Sequence, residues 1–228
     1  EELNEVYSQG KVSRNLLTEA LLVKLDRKEQ KLKNCSTQLT SLNLNKPSLQ
    51  KRQRHGIKFT YKNTNPEGEI PSLGKGILNW LSTDNGRSTI RKNPHELGTV
   101  TVQVSSVEKG SHLELVSDTS NEFWTKDVPS SWFSIHFRGG SKVKPTAYVI
   151  RHGRNYKSDS LRTWDFQGSP DGENWITIRR HQNDQSLDGP FAVHCFYVEG
   201  IKDSFSYFRI LQTGHNSNNR NYLAASNF

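Results

Sequence analysis

A chain of 228 residues with a formal net charge of +8 has room for one large domain plus an extension, although a 32% hydrophobic share is low for a packed interior. Aromatic residues, at 10%, offset that shortage because each buried ring removes much apolar area from water. No run approaches the roughly 18 apolar residues of a membrane span, and no charged-then-apolar leader precedes a small-residue cleavage site, so neither a helical membrane protein nor a secretory precursor is expected.

The first expected element is a helix. Leu16, Ala20 and Val23, with Leu17, Leu21 and Leu25, recur at three- and four-residue steps and predict one apolar stripe within residues 1–33. A dimerising coiled coil would need more heptads than are visible. Residues 34–56 shift to Asn, Ser, Thr, Gln, Pro and Lys, which predicts a basic polar linker closed by Lys51-Arg52-Gln53-Arg54-His55. Through Gly56 there are 11 Lys/Arg against 6 Asp/Glu, and from Ile57 onward 20 against 17, so most of the excess lies upstream. The arm from Lys46 to Arg54 is a candidate for nucleic acid or acidic lipid, although charge runs are more often simply solvated.

From 57 to 228 the hydrophobic period drops to two. Ile57, Phe59 and Tyr61 alternate with polar residues, and Asn65-Pro66-Glu67-Gly68 predicts a turn. Gly76-Ile77-Leu78-Asn79-Trp80-Leu81 reads as an apolar strand with Trp80 buried, and Val100, Val102 and Val104 as another. In Trp132–Phe137 the alternation points Phe133, Ile135 and Phe137 inward. Ala147–Ile150 follows. Next, Ser169-Pro170-Asp171-Gly172 reverses the chain between the strand at Trp164 and the one after Trp175, as an antiparallel hairpin. Trp132, Trp164 and Trp175 are expected in the core, and Trp124 on a loop. Strands at 192–198, at 207–211 and near Leu223 complete the set. Many short strands without helical spacers predict a mainly β protein, an antiparallel β-sandwich of the jelly-roll kind behind the helix and linker.

Cys195 lies in an apolar run and reads as a buried free thiol, whereas Cys35 lies in a polar segment. Two cysteines are too few for the dense frameworks of secreted domains, which points to a reducing, intracellular compartment, the cytoplasm.

The ordered motifs Trp132-Phe133-Ser134-Ile135, Tyr148-Val149-Ile150-Arg151-His152-Gly153, Leu161-Arg162-Thr163-Trp164, Ser169-Pro170-Asp171-Gly172-Glu173-Asn174-Trp175, Phe208-Arg209-Ile210 and Leu223–Phe228 resemble the discoidin, or coagulation factor type C, domains, with their galactose-binding-like sandwich. The variant most similar is the intracellular one found in HECT-type ubiquitin ligases and BTB-domain proteins, which also has a Gly-Ile-Leu-aromatic-Leu segment, an Asn-Pro and a Val-x-Val strand. The chain departs from the family at His136-Phe137-Arg138-Gly139-Gly140, where an acidic residue and Leu-Gly are usual. The resemblance implies a domain that binds a partner through loops at one end of its sandwich, helping to choose substrates or partners for a ubiquitin ligase or BTB adaptor. Family ligands include protein segments, sugars and phospholipid heads, so fold alone does not choose among them.

Two loops carry the candidate ligand-binding residues. The segment from Arg151 to Arg162 concentrates cations and an aromatic ring between two strands: Arg151, His152, Arg154, Tyr156, Lys157 and Arg162. Guanidinium forks there suit a carboxylate or phosphate on an acidic protein or peptide partner. Arg151 and Arg162 fit a structural role better, paired with Asp165 or Asp184, while recognition and plain solvation are both open for Arg154 and Lys157. If the latter two are recognition residues, replacing them with Glu leaves the melting temperature nearly unchanged. The amide-rich loop 215–221 adds His215, Asn218 and Arg220, whose side chains suit a glycan or a peptide backbone, though a simple turn explains it as well. No catalytic motif is present. His181 with Asp184 and His152 with Asp159 lack a nucleophile, and His112, His136, His194 and His215 lack zinc-ligand spacing. No catalytic residue, zinc site or cofactor is therefore expected, while a structural calcium held by backbone carbonyls is left open.

Overall fold

A computed structural model describes residues 76–119 and 121–228, together with Lys24 and Gln30 upstream. Those two are helical and exposed. The rest of the expected helix, the linker with its Lys46–Arg54 arm, and the strand at Ile57, Phe59 and Tyr61 lie outside the described residues. The chain divides into two units, 1–58 and 59–228, and the sandwich belongs to the second.

Among the described residues eight strands build it: β1 (Val100–Val104), β2 (Trp132–Phe137), β3 (Ala147–His152), β4 (Trp164–Ser169), β5 (Ile176–His181), β6 (Val193–Tyr197), β7 (Tyr207–Gln212) and β8 (Ala225–Asn227). A five-stranded sheet runs β1-β2-β7-β4-β5 and a three-stranded sheet runs β6-β3-β8, with every pairing antiparallel. This is the expected antiparallel sandwich. Its core forms where the alternating positions meet: Val100, Val102, Phe133, Ile135, Phe137, Trp164, Phe166, Phe208 and Ile210 from the larger sheet, against Tyr148, Ile150 and Phe196 from the smaller. Rings carry much of the contact across the layers. Tyr148 stacks on Phe166 across the layers with centroids 4.1 Å apart, and on Phe196 within its own sheet at 5.2 Å.

The β4–β5 hairpin turns as its sequence requires. Gly172 takes φ +86°, a value that favours glycine. The Asp171 carboxylate accepts the Asn174 side-chain amide at 2.8 Å and the backbone N–H groups of Glu173 and Asn174 at 2.9 and 2.8 Å. Led by the Asn174 side chain, these donors hold its pKa well below the usual carboxylate range.

Three expectations fail. The segment read as a strand at 76–81 is a short helix, Ile77–Ser82. Ile77, Leu78 and Leu81 pack on the core at helical spacing, and the Ser82 hydroxyl donates back to the Asn79 carbonyl at 2.7 Å. A six-residue apolar run carries too little periodicity to separate the two states. Trp80 on this helix is half-buried and not buried. Trp132 and Trp175 are likewise half-buried rather than core. Trp132 is out of phase with the inward Phe133, Ile135 and Phe137, while Trp175 precedes β5 and lies beneath the Arg209 guanidinium, 4.1 Å from its ring centroid. Trp164 is fully buried, and Cys195 is a buried free thiol, both as expected.

Candidate functional site

Strand register determines which loops share an end. Trp132 pairs with Leu211, Trp164 with both Gln212 and His181, Arg151 with Val193, and His152 with Ala225. The connections 105–131, 153–163, 182–192 and 213–224 therefore gather at one end, while the β4–β5 turn lies at the other. Each gathered connection drives at least one apolar side chain completely into the core, among them Phe123, Leu161, Leu187 and Leu223, all 0% exposed. Burial of each stabilises its loop by about 1.5–3 kcal/mol, so these loops are pinned to the sandwich.

Polar contacts then join the loops to one another. Ser160 N–H donates to Ser217 Oγ at 3.0 Å, and Ser217 N–H returns to the Ser160 carbonyl at 2.9 Å. Asp159, buried and in the left-handed region at φ +61°, accepts Asn216 Nδ2 at 3.2 Å and pairs with Arg154. Asp127 accepts the Asn221 backbone N–H at 2.7 Å and Arg220 at 3.2 Å. Those contacts, the backbone N–H first, lower the Asp127 pKa. Glu122 accepts the Asn155 N–H at 3.1 Å, and its carboxyl is lowered mainly by that bond. Phe191 N–H donates to the Arg154 carbonyl at 2.8 Å, which ties in the fourth loop.

The sequence-predicted residues separate into two groups within this end. Arg151, His152, Arg154 and Arg162 form the frame. Arg151 is buried, donating to Ser226 Oγ at 2.8 Å and to the Thr119 carbonyl. Arg162 reaches the Asp184 backbone carbonyl at 3.3 Å and the Asp188 carboxylate at 2.7 Å. Pairing of Arg151 or Arg162 with the Asp165 or Asp184 carboxylates does not occur, because Asp165 points across the β4–β5 pair to Arg180 at 3.0 Å and the Asp184 carboxylate is taken by His181 and the Ser186 N–H. Arg154 is the largest surprise. Its guanidinium lies between the rings of Trp124 and Tyr156, 4.3 and 4.4 Å from their centroids, and its side chain is only 13% exposed. It is no free cation, which corrects the equal treatment of Arg154 and Lys157 from sequence. His152 is fully buried, and its Nε2 donates to the Tyr156 carbonyl at 3.1 Å.

Tyr156, Lys157, His215, Asn218 and Arg220 are exposed. Even here charge is matched: Lys157 lies 3.5 Å from Asp188 and Arg220 3.2 Å from Asp127. The four loops together carry six Lys/Arg and eight Asp/Glu. The end is thus close to neutral and rich in amide and hydroxyl groups, not the cationic patch that the 151–162 segment suggests in isolation. Sequence reasoning missed Trp124, Asp127 and the 182–192 loop as parts of the end. Only cross-strand register reveals the loop's place, whereas the Trp124-Thr125-Lys126-Asp127 cluster is a signal at the sequence level.

Of the two His–Asp pairs, one forms. His181 Nδ1 lies 2.7 Å from Asp184, its Nε2 lies 2.6 Å from the Tyr148 hydroxyl, and its ring stacks on Trp164 at 4.0 Å. Burial pushes the Tyr148 phenol up, and Tyr148 is itself buried in the core, so this chain of contacts locks two layers together instead of presenting a nucleophile. His152 does not bond Asp159, which Arg154 occupies. Among the described residues no group of three or more His, Cys, Asp or Glu converges as metal ligands, and no helix among them is long and apolar enough to cross a membrane.

Burial lowers the pKa of both His152 and His181. A histidine held neutral in the folded state binds fewer protons there than when unfolded, so its contribution is fully present above the unfolded value of about 6.5 and is lost progressively as pH falls below it, through the folded value. The melting temperature should therefore drop between pH 7.5 and pH 5.5 in a calorimetric scan. A flat profile would mean that neither ring is held neutral.

No family model matches the chain. A stretch of 159 residues, 67% of this chain, is 31% identical to part of the E3 ubiquitin-protein ligase hecd-1 of Caenorhabditis elegans, and 163 residues, 68% of the chain, are 32% identical to part of the E3 ubiquitin-protein ligase Ufd4 of Drosophila melanogaster. The chain spans 6% of the length of each ligase. A BTB/POZ domain-containing protein of Arabidopsis thaliana is 30% identical over 87 residues, 37% of this chain and 10% of that protein. Among solved structures, a carbohydrate-binding module of Clostridium perfringens, CpGH89CBM32-5 in complex with GalNAc-beta-1,3-galactose, aligns at a TM-score of 0.46 with 12% identity, covering 57% of this chain and 93% of that one. The family 32 module of NanJ from the same organism, in complex with galactose, aligns at 0.45 with 9% identity, over 57% and 91% of the two chains.

Proposed function

Starting from a β-sandwich whose sequence is similar to one segment of two E3 ubiquitin-protein ligases, we propose that this chain is a non-catalytic interaction module of a larger intracellular protein. It docks a protein or peptide segment on the four-loop end, and in a ubiquitin-ligase or BTB-adaptor setting that docking helps to select substrates or partners. One observation carries this reading: four loops, each with a buried apolar anchor, interlock so that Tyr156, Lys157, His215 and Asn218 stand on a fixed platform. A surface already ordered before contact loses little conformational freedom on binding. Because the charges of that platform are largely matched internally, hydrogen bonds and the Tyr156 ring do most of the recognising. Affinity should then depend only weakly on salt.

A glycan is the second reading, favoured by the exposed face of Tyr156, 45% accessible, beside the amides of loop 213–224. The test is capture of partners from cell lysate by the full 228-residue chain, wild type against Tyr156→Ala/Lys157→Ala/His215→Ala, alongside a glycan array. The variant is expected to lose the captured proteins while staying cooperatively folded, its melting temperature lowered only by loss of the Tyr156 ring beside Arg154. Saturable binding to sugars with no protein captured would move the assignment to the second reading.

A further inference from the structure

The four-loop end does not account for every open space in the protein. On the flank of the sandwich, the 3-10 turn His112–Val116 packs against both β1 and β8. There a cavity of about 140 Å³ lies between the helix Ile77–Ser82, residues 91–93 and the end of β8. Cavities of about 150 Å³ admit a benzene ring, so this one suits a single residue-sized group.

Its lining combines three chemistries. Leu78, Val116 and Phe228 supply an apolar wall, and the exposed cations Arg91 and Lys92 stand at the rim, outnumbering Asp118. Three amides, Asn79, Asn93 and Asn227, complete it with Ser82 and Ser117, and the Oδ1 of Asn79 and of Asn227 is buried without any hydrogen-bond donor. Asn227 is only 7% exposed. Its Nδ2 donates to the Ser117 carbonyl, and a carbonyl there fixes which way the amide faces. The bare Oδ1 is therefore not removed by exchanging the two ends of the amide. A buried acceptor without a donor is costly, and two of them around one cavity ask for an N–H group from outside.

We infer that this cavity binds a peptide carboxyl terminus. The last residue of a chain carries the three matching parts: an amide N–H that Asn227 Oδ1 and Asn79 Oδ1 share as a three-centre bond, a carboxylate for Arg91 and Lys92, and, when aliphatic, a side chain for Leu78, Val116 and Phe228. Of its lining only Val116, Ser117 and Asp118 come from a connection of the four-loop end, and none of the exposed residues assigned to recognition there takes part, so the inference does not depend on how that end is read.

The test is an NMR titration of the full chain with N-acetyl-leucine, which has all three parts, against N-acetyl-leucinamide, which lacks the carboxylate. Saturable shifts are expected at Asn79, Asn227 and Asn93, with the amide analogue about tenfold weaker for loss of a charge-assisted contact. Arg91→Gln/Lys92→Gln should weaken N-acetyl-leucine by a similar factor. Asn79→Leu, which removes an unpaired acceptor and so spares the fold, should weaken it at an unchanged melting temperature. The inference is overturned if N-acetyl-leucine causes no saturable shift, leaving a cavity that holds water only. It is equally overturned if the acid and the amide titrate alike, or if the Arg91/Lys92 variant binds as the wild type does.

Discussion

Arg154→Glu is expected to lower stability by about 3–5 kcal/mol, because removing one member of a buried ion pair strands the other. Asp159 is that other member, with its side chain 6% exposed beneath the interlocked loops, and the new carboxylate would stand beside it. The substitution also empties the space between the Trp124 and Tyr156 rings. For a chain of this size each kcal/mol shifts the melting temperature by about 2–4 °C, so a fall on the order of 10 °C should be seen by calorimetry. Arg154→Lys keeps the charge but not the planar fork that fits between two rings, and should fall in between. Lys157→Glu is the informative contrast. With its side chain 73% exposed and only a surface contact to Asp188, it should change stability by less than about 1 kcal/mol. If Arg154→Glu melts with the wild type, the Arg154–Asp159 pair does not hold the loops.

Gly153→Ala should be as damaging for a different reason. A Cβ placed on Gly153 would lie 2.5 Å from Ala225 N and 2.5 Å from the Phe123 carbonyl oxygen. Both obstacles are backbone, one in β8 and one beside the anchor of the 105–131 connection, so neither can swing aside as a side chain can. Overpacking of this kind costs about 1–3 kcal/mol where neighbours can give, and here the upper part of that range or beyond is expected. The Phe123 N–H to Gly153 carbonyl bond, 3.3 Å long, would also open. Hydrogen exchange should then quicken at Phe123 and Ala225 first, ahead of the β2–β7 pairing. Exchange unchanged at those two positions would contradict the close approach.

Much of the sandwich was legible in the sequence because its strands alternate cleanly. Phe133, Ile135 and Phe137 declared the inner face of β2, and Ser169-Pro170-Asp171-Gly172 declared the reversal after β4. Where alternation was short or missing, reading failed. Ile77-Leu78-Asn79-Trp80-Leu81 offers no polar counter-phase, and only packing against the core reveals a helix. The site was half legible. Composition brought out the 151–162 and 215–221 loops, and register places them at one end. What composition could not give was the partner of each charge. Arg154 and Lys157 look alike in sequence, yet Asp159, Trp124 and Tyr156 enclose one, while the other stands in water. The acids that neutralise the end, Asp127 and Asp188, come from other connections, so a count over one loop suggested a cationic patch that the assembled end does not have.

The most direct measurement repeats the lysate capture with a matched control at the opposite end, Glu173→Ala/Lys202→Ala, both exposed positions on the turns 170–175 and 198–206. The account predicts that Tyr156→Ala/Lys157→Ala/His215→Ala loses the wild-type partners while the Glu173/Lys202 variant keeps them, with all three proteins cooperatively folded at the temperature of the assay. Retention of the full partner set by the Tyr156/Lys157/His215 variant, or its loss only in the Glu173/Lys202 variant, would contradict the claim that the four-loop end does the recognising.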